Sequence, residues 1–294
     1  MFKEKIIFIF FKIIKKIILK NKNQFKDSRR FAVYNNDLIS IDIILNGLYE
    51  KHIIYFLKEQ VFNKKIISNE ICIDVGANIG NHTYIFSKFF DKVLSFEPNN
   101  NLFKLLNFNT ESLSNVTTFN LAVSNNNQNK LFFENQRNLG ASKIIENKSE
   151  KYDNEKNIKN VKSVYLDHFI DPSDYNKIRY IKIDAEDHDF YVLKGAKNII
   201  TSSKPLISIE LKSYLYKRDL NNFESIIFLK ELGYKYFYNI NKYKYQYFFS
   251  QNYLLKILIF LLFYKNNSHY NISLIESFER KNYEFLIASH KSLN

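Results

Sequence analysis

Short apolar runs alternate with segments of helical spacing along the chain, and the clearest run is Ile-Cys-Ile-Asp-Val at 71–75. Its unbroken apolar character predicts a buried parallel strand. Gly76 and Gly80 follow it and let the backbone turn sharply, and 81–90 then predicts a helix. A strand, a glycine turn and a helix whose amide end faces the turn predict an α/β fold with a ligand site at the turn.

A second apolar run at 93–96 ends in Glu97, about twenty residues after the turn, where an acid can accept hydrogen bonds from ribose hydroxyls. The glycines have the spacing G-x-x-x-G with Asn78 at their centre, so the dinucleotide fingerprint G-x-G-x-x-G is absent. This difference favours S-adenosylmethionine over NAD. The alternative is a close-packed turn with a capping carboxylate and no ligand.

The same alternation continues on both sides of this region. Before it, the pattern predicts a strand, a turn at Gly47 and a helix at 49–62. After it, helices are predicted at 100–109 and 221–232, and one begins at 190. Further strands are predicted at 116–123, 161–167, 179–184, 205–210, 234–239 and 283–289.

Acidic residues gather where two of these strands end: Asp184 and Glu186 after one, Glu210 at the end of the next. The carboxyl ends of parallel strands share one edge of a sheet, so these side chains are expected to face one crevice. Crowded carboxylates either serve as acid and base groups or bind a divalent metal. His188 beside them is a candidate general base. The alternatives are helix capping, solvated acids and a structural histidine.

Composition narrows the class of protein. Hydrophobic residues make up 46% and aromatic residues 17% of the 294 residues, enough for one large α/β domain or two small ones. The single cysteine, Cys72, excludes an intrachain disulfide framework and is compatible with the cytoplasm. The net charge is +13, of which residues 1–30 carry +8. Because the basic charge is concentrated in this arm, a nucleic-acid partner is not expected.

The arm has an amphipathic pattern, with lysines on one helical face of 2–20 and Ile and Phe on the other. Its longest uncharged run, 6–11, is too short to span a bilayer, and no signal-peptide cleavage site follows. This pattern predicts peripheral binding to the inner face of an anionic cytoplasmic membrane. The alternative is packing on the protein's own sheet or on a partner subunit, as in a homodimer. The apolar stretch 253–264 could likewise contact a membrane, form a dimer surface or cover the active site.

Taken in order, the motifs resemble those of the FkbM family of S-adenosylmethionine-dependent methyltransferases. The resemblance extends over about 37–240 and again over 272–290, and does not cover the arm. The stretches that carry it are Asp-Val-Gly-Ala-Asn-Ile-Gly-Asn-His-Thr at 74–83, Phe-Glu-Pro at 96–98, Asn-Leu-Gly-Ala-Ser at 138–142, Leu-Asp at 166–167, Lys-Ile-Asp-Ala-Glu at 182–186, Val-Leu-Lys-Gly-Ala at 192–196 and 205–210.

The resemblance implies a Rossmann-like class I methyltransferase fold with helices on both faces of a mostly parallel seven-stranded sheet, of order 3-2-1-4-5-7-6, with strand 7 antiparallel. We therefore expect an arm at 1–30 and one methyltransferase domain at 31–294, with an apolar insertion at about 250–268. One departure is Asp187, which stands where the family usually has glycine. This change could alter the acceptor side of the site or reduce activity.

The implied function is O-methylation of a sugar hydroxyl in a bacterial surface glycan, such as capsule or lipopolysaccharide, or in its precursor. The alternatives are a lipid, polyketide or other small-molecule acceptor, or a non-catalytic adenosyl-binding membrane scaffold. The predicted catalytic residues are Asp184, Glu186 and His188, and a metal, if present, would be held by Asp184, Glu186 and Glu210. The predicted cofactor-binding residues are Asp74, Gly76, Ala77, Asn78, Gly80, Thr83, Glu97, Pro98, Asn120, Ala122 and Asp184.

Overall fold

The computed structural model describes residues 12, 31–34, 38–62, 69–136, 138–145, 155–213, 223–242, 270–279 and 281–293. The predicted amphipathic arm, apart from Lys12, and the predicted apolar insertion lie outside these residues. The chain divides into two compact units, Met1–Tyr49 with Ile67–Pro205 and Glu50–Ile66 with Leu206–Asn294. The single domain at 31–294 stays a prediction.

Strands and helices alternate through most of the described chain. The strands are β1 (Ile71–Val75), β2 (Lys92–Phe96), β3 (Val116–Phe119), β4 (Ala122–Val123), β5 (Asn129–Phe133), β6 (Lys143–Ile145), β7 (Ile158–Val164), β8 (Ile178–Ile183), β9 (Leu206–Leu211), β10 (Tyr236–Lys242), β11 (Tyr270–Leu274) and β12 (Tyr283–Ser289). The α-helices are α1 (Leu38–Asn46), α2 (Lys51–Phe56), α3 (Asn81–Phe86), α4 (Asn100–Thr110), α5 (Leu166–Phe169), α6 (Asp189–Gly195), α7 (Lys197–Ser203) and α8 (Glu224–Glu231).

The first unit contains a parallel sheet of order β8-β1-β2-β3. Every residue of β1 is buried, as its apolar pattern predicted. Helix α4 begins where the side chain of Asn99 accepts hydrogen bonds from the amides of Asn101 and Leu102, and it buries Leu102 and Leu106. The carboxyl ends of β8, β1 and β2 therefore meet at one edge of a sheet, which is where open α/β folds bind ligands.

A second sheet of the first unit, of order β4-β7-β5-β6, was not predicted as a separate layer. The sequence predicted one strand over 116–123, and this was wrong: β3 belongs to the parallel sheet and β4 pairs with β7. The break falls at Asn120, whose side-chain amide donates hydrogen bonds to the carbonyls of Glu97 (2.8 Å) and Pro98 (3.2 Å). These bonds hold the chain to the end of β2 while it leaves the parallel sheet.

The strand predicted before Gly47 was also wrong, because the described residues there form helix α1. Gly47 has φ +83° and its amide donates to the Ile43 carbonyl at 2.6 Å, which ends the helix with a left-handed residue. Ile43 packs in a buried cluster with Ile79, Leu102 and Leu139. Tertiary burial thus overrides the preference of a β-branched run for a strand.

The second unit contains an antiparallel sheet of order β11-β10-β12-β9. Strand β12 runs antiparallel to both β9 and β10, as predicted for the seventh strand. The order β3-β2-β1-β8 in the first unit and β9-β12-β10 in the second correspond to the predicted 3-2-1-4 and 5-7-6. Strand β11 is an addition that the sequence did not predict. The α/β class with a Rossmann-like parallel sheet is confirmed.

No helix within the described residues combines the length and the apolar character needed to cross a membrane.

Candidate functional site

A cleft opens in the first unit at the carboxyl ends of β1, β2 and β8, with an empty volume of about 570 Å³. Its floor and one rim come from the turns that follow these strands, including Gly76, Glu97 and Asp184. This volume includes space that is open to solvent, so the cleft is accessible from outside. Of the three acids predicted to face one crevice, Asp184 and Glu186 line this cleft.

The glycine turn fits tightly against the end of β8. The amides of Gly76 and Ala77 both donate to the Phe96 carbonyl at 3.0 Å, which fixes the turn to β2. Gly76 has φ +72°, and a Cβ at this position would lie 1.8 Å from the carbonyl oxygen of Asp184. Only glycine satisfies both the backbone conformation and this close approach.

Glu97 is held in the cleft by two backbone amides. Its Oε2 accepts from the amide of Asn78 at 2.9 Å and its Oε1 from the amide of Asn99 at 2.8 Å. The residue is 5% exposed, and this burial raises the pKa of Glu97 to about 7 although the two hydrogen bonds lower it. Glu97 is thus an oriented carboxyl group that titrates near neutral pH.

Lys182 joins the glycine turn to the acids on either side of it. Its Nζ donates to the Gly76 carbonyl at 3.0 Å and lies 3.4 Å from Oδ1 of Asp74 and 3.3 Å from Oδ2 of Asp184. Lys182 is 3% exposed. Lys182 was not predicted as a site residue, although a lysine inside a buried strand indicates a charged partner. Its position two residues before Asp184 places both side chains on one face of β8.

The turn after β8 carries the predicted catalytic acids. The side chain of Asp184 is 44% exposed, and both Asp184 and Glu186 line the cleft. Glu186 and Asp187 have φ values of +48° and +76°, in the left-handed region that favours glycine. Asp187 is 2.7 Å from Nζ of Lys143, which lies in β6 and also lines the cleft.

His188 occupies a different position from the acids and is not among the residues that line the cleft. Its Nε2 lies 2.9 Å from Oγ of Ser124, and its ring stacks on Tyr191 with centroids 4.7 Å apart. Burial, helped by the charge of Lys130, lowers the pKa of His188 to about 4. The histidine is therefore neutral at physiological pH and bonded within the protein.

The other predicted cofactor residues fall into two groups. Pro98 and Ala122 line the cleft together with Asn78. Asp74, Ala77, Gly80, Thr83 and Asn120 are not among the residues that line the cleft. Oγ1 of Thr83 donates to Oδ2 of Asp74 at 2.7 Å, and Gly80, with φ +92°, precedes α3. The whole set of cofactor and catalytic assignments stays a prediction.

Glu210 lies in β9 of the second unit, where Oε2 of Glu210 is 3.6 Å from Nζ of Lys212. The predicted metal site, which needs Glu210 beside Asp184 and Glu186, stays a prediction.

The sequence did not predict the cleft residues that come from the second sheet. They are Phe132 on β5, Ser142 before β6, and Lys143 and Ile144 on β6. Gly140 also lines the cleft. A Cβ at Gly140 would lie 3.2 Å from Nδ2 of Asn78.

The lining fits S-adenosylmethionine. Leu102, Leu121, Ala122, Val123 and Phe132 form apolar walls suited to a purine ring. Glu97 offers a carboxyl group to ribose hydroxyls, and Asp184 and Glu186 offer negative charge to an ammonium or sulfonium group.

A model of the methyltransferase FkbM domain matches residues 74–236. No curated protein matches the chain significantly. Solved structures similar to it include the methyltransferase FkbM from Methylobacillus flagellatus KT (18% identity, 58% of this chain and 41% of that chain, TM-score 0.37). A second is precorrin-6y C5,15-methyltransferase from Geobacter metallireducens GS-15 (11% identity, 88% of this chain and 94% of that chain, TM-score 0.39). A third is TYW2 from M. jannaschii in complex with AdoMet (14% identity, 82% of this chain and 75% of that chain, TM-score 0.33). The chain spans about two fifths of the length of the first of these structures.

Proposed function

The chain belongs to the FkbM methyltransferase family, and on that premise we propose that it transfers the methyl group of S-adenosylmethionine to a hydroxyl oxygen. The observation that carries the proposal is the buried Glu97 carboxyl group, oriented by two amides in a cleft that also contains Asp184 and Glu186. A close-packed turn without a ligand would need no open cleft beside this carboxyl group.

In this proposal different residues of the cleft bind different parts of the cofactor. Glu97 accepts hydrogen bonds from the ribose hydroxyls, and the apolar wall that includes Ala122 and Phe132 contacts the adenine. The turn at Gly76 brings backbone close to the methionine portion, beside Asp184. When bound, S-adenosylmethionine supplies an electrophilic methyl group on a positively charged sulfur.

Asp184 and Glu186 are the candidates for the general base. As an acceptor oxygen forms its bond to the methyl carbon, the carbon–sulfur bond breaks and the sulfur keeps the electron pair. One of the two carboxylates accepts the hydroxyl proton, so the products are a methyl ether and S-adenosylhomocysteine. Lys182 holds Asp184 in place, and alignment of the acceptor with the methyl group supplies much of the rate.

His188 is a weaker candidate for this role because Ser124 bonds its Nε2 and the cleft is lined by other residues.

We propose a sugar hydroxyl of a surface glycan or its precursor as the acceptor. Two carboxylates at the open side of the cleft offer several hydrogen-bond acceptors, which suits a ligand with many hydroxyl groups. A lipid or polyketide acceptor remains the alternative, and radiolabelled S-adenosylmethionine offered with separate glycan, lipid and polyketide fractions distinguishes them. Label in the glycan fraction supports the proposal, and label confined to another fraction contradicts it.

Cofactor binding is tested first by isothermal titration of the full chain with S-adenosylhomocysteine, S-adenosylmethionine and NAD. The proposal requires binding of the two adenosyl ligands and weaker or no binding of NAD. Glu97→Gln should reduce the affinity, whereas Glu111→Gln, which changes an exposed acid just beyond α4, should not. Binding without methyl transfer to any fraction would favour the adenosyl-binding scaffold instead.

The arm at 1–30 supports a further proposal, that the protein associates peripherally with an anionic membrane through 2–20, assisted by 253–264. Sedimentation with vesicles containing anionic lipid tests it. The full chain should sediment with the vesicles at low salt, and a variant lacking residues 1–26 should not. Equal behaviour of the two proteins contradicts the proposal.

A further inference from the structure

Two consecutive residues of the turn after β8 have a backbone conformation that their side chains disfavour. Glu186 has φ +48° and Asp187 has φ +76°. Such conformations persist only where surrounding contacts hold them, and they concentrate at functional sites. Glu186 lines the cleft, so the conformation of this turn decides where its carboxylate lies.

The contact that holds Asp187 comes from the second sheet. Nζ of Lys143 donates to Oδ2 of Asp187 at 2.7 Å, across 44 positions of the chain. The two side chains are 33% and 16% exposed, so solvent only partly screens the pair. A charge-assisted hydrogen bond of this length is stronger than one between neutral groups.

The Lys143–Asp187 pair connects two walls of the cleft. Ser142, Lys143 and Ile144, at β6 of the second sheet, and Asp184, Ala185 and Glu186, in the turn after β8, all line it. Strand β6 has three residues and lies at the edge of its sheet, paired with β5. A short edge strand has few ladder hydrogen bonds of its own, so an ion pair to the turn after β8 contributes to its position.

We propose that the Lys143–Asp187 pair is a positioning device for the adenosyl ligand: it holds β6 and the turn that carries Glu186 together, and so fixes the width of the cleft. This inference rests on the proposed function. In it, neither Lys143 nor Asp187 is a catalytic residue. Asp187 adopts a backbone conformation that favours glycine, and its carboxylate accepts a hydrogen bond from Lys143.

The test is the dissociation constant of S-adenosylhomocysteine for the full chain, measured by titration calorimetry. Lys143→Met and Asp187→Asn should each weaken binding about fivefold, as expected for a partly exposed pair. The double variant should bind about as weakly as either single one, because both changes remove the same interaction. Lys143→Arg should restore binding to within about twofold of the unchanged protein.

A matched control is the Lys177–Asp174 pair, also in the first unit. Nζ of Lys177 lies 2.6 Å from Oδ1 of Asp174, and the two side chains are 45% and 25% exposed. Neither residue lines the cleft. Lys177→Met and Asp174→Asn should leave the dissociation constant unchanged. At about 1 M salt the unchanged protein should bind only as well as Lys143→Met, because charge screening weakens the pair.

Asp187→Gly separates positioning from stability. Glycine relieves the φ of +76° but removes the carboxylate, so the variant should melt no lower than the unchanged protein and still bind the ligand about fivefold more weakly. Unchanged ligand affinity in Asp187→Gly and Asp187→Asn, or additive losses in the double variant, would overturn the inference while leaving the proposed function intact. Absence of binding by the unchanged protein would overturn both.

Discussion

Lys182→Met tests whether the buried ammonium group holds the glycine turn and its neighbouring acids together. Methionine has nearly the length of lysine and fills its space, so the substitution removes charge and hydrogen-bond donors with little change in volume. Lys182 is 3% exposed and lies 3.4 Å from Asp74, which is 0% exposed. The substitution therefore leaves a buried carboxylate without its cation.

The magnitude follows from which contacts are buried. Removing one partner of a buried ion pair costs about 3–5 kcal/mol. Losing the contact with Asp184 contributes little to this cost, because the Asp184 side chain is 44% exposed and water can replace the cation there. Thr83 still donates to Asp74 at 2.7 Å, which offsets part of the loss. We expect a loss of about 3 kcal/mol in the free energy of unfolding.

The assay is urea denaturation followed by circular dichroism, with Lys177→Met as the control. Lys177 pairs with Asp174 at 2.6 Å but is 45% exposed, so its substitution should cost less than about 1 kcal/mol. Adding Asp74→Asn to Lys182→Met should recover part of the loss, because the uncompensated charge is removed. A loss below about 1 kcal/mol for Lys182→Met, or no recovery in the double variant, would refute the reasoning.

Three further predictions concern the same cleft. Gly76→Ala should destabilise the protein by about 3 kcal/mol or more and abolish S-adenosylhomocysteine binding, because the new Cβ would lie 1.8 Å from the Asp184 carbonyl oxygen. A melting temperature within a few degrees of that of the unchanged protein would contradict this. Burial raises the pKa of Glu97 from 4.5 to about 7, so its contribution to stability is present below 4.5 and is lost as the pH rises through 7. The affinity for S-adenosylhomocysteine should instead rise with pH and be about tenfold tighter at pH 8 than at pH 6, because the ionised carboxylate accepts hydrogen bonds from the ribose hydroxyls. Glu97→Gln should show no such pH dependence. His188→Phe should cost about 1–3 kcal/mol of stability by removing the partner of Ser124, with ligand affinity changed less than twofold; loss of methyl transfer without loss of stability would return His188 to the role of general base.

The sequence by itself determined the central parallel strands and their ligand-binding turn. An apolar run followed by Gly76 predicts a strand and a sharp turn because these preferences are local. Glu97 and Asp184 were found for the same reason, since each comes directly after a buried strand and strand ends share one edge of a sheet.

Only the tertiary structure decided what surrounds those residues. The run before Gly47 is a helix because Ile43 is buried against other elements, and a local pattern contains no record of that burial. The wall of the cleft that includes Lys143 comes from a second sheet, whose strands pair across long stretches of chain.

The charged contacts show the same division. Lys182 is visible in the sequence as a lysine in an apolar strand, but its contact with Gly76 spans 106 positions. The contact between Lys143 and Asp187 spans 44. Hydrophobic periodicity reports which face of an element is buried, and it carries no information about which distant charge that face meets. The strand ends of this protein are therefore set by local sequence, and the partners that position them are set by how the sheets pack.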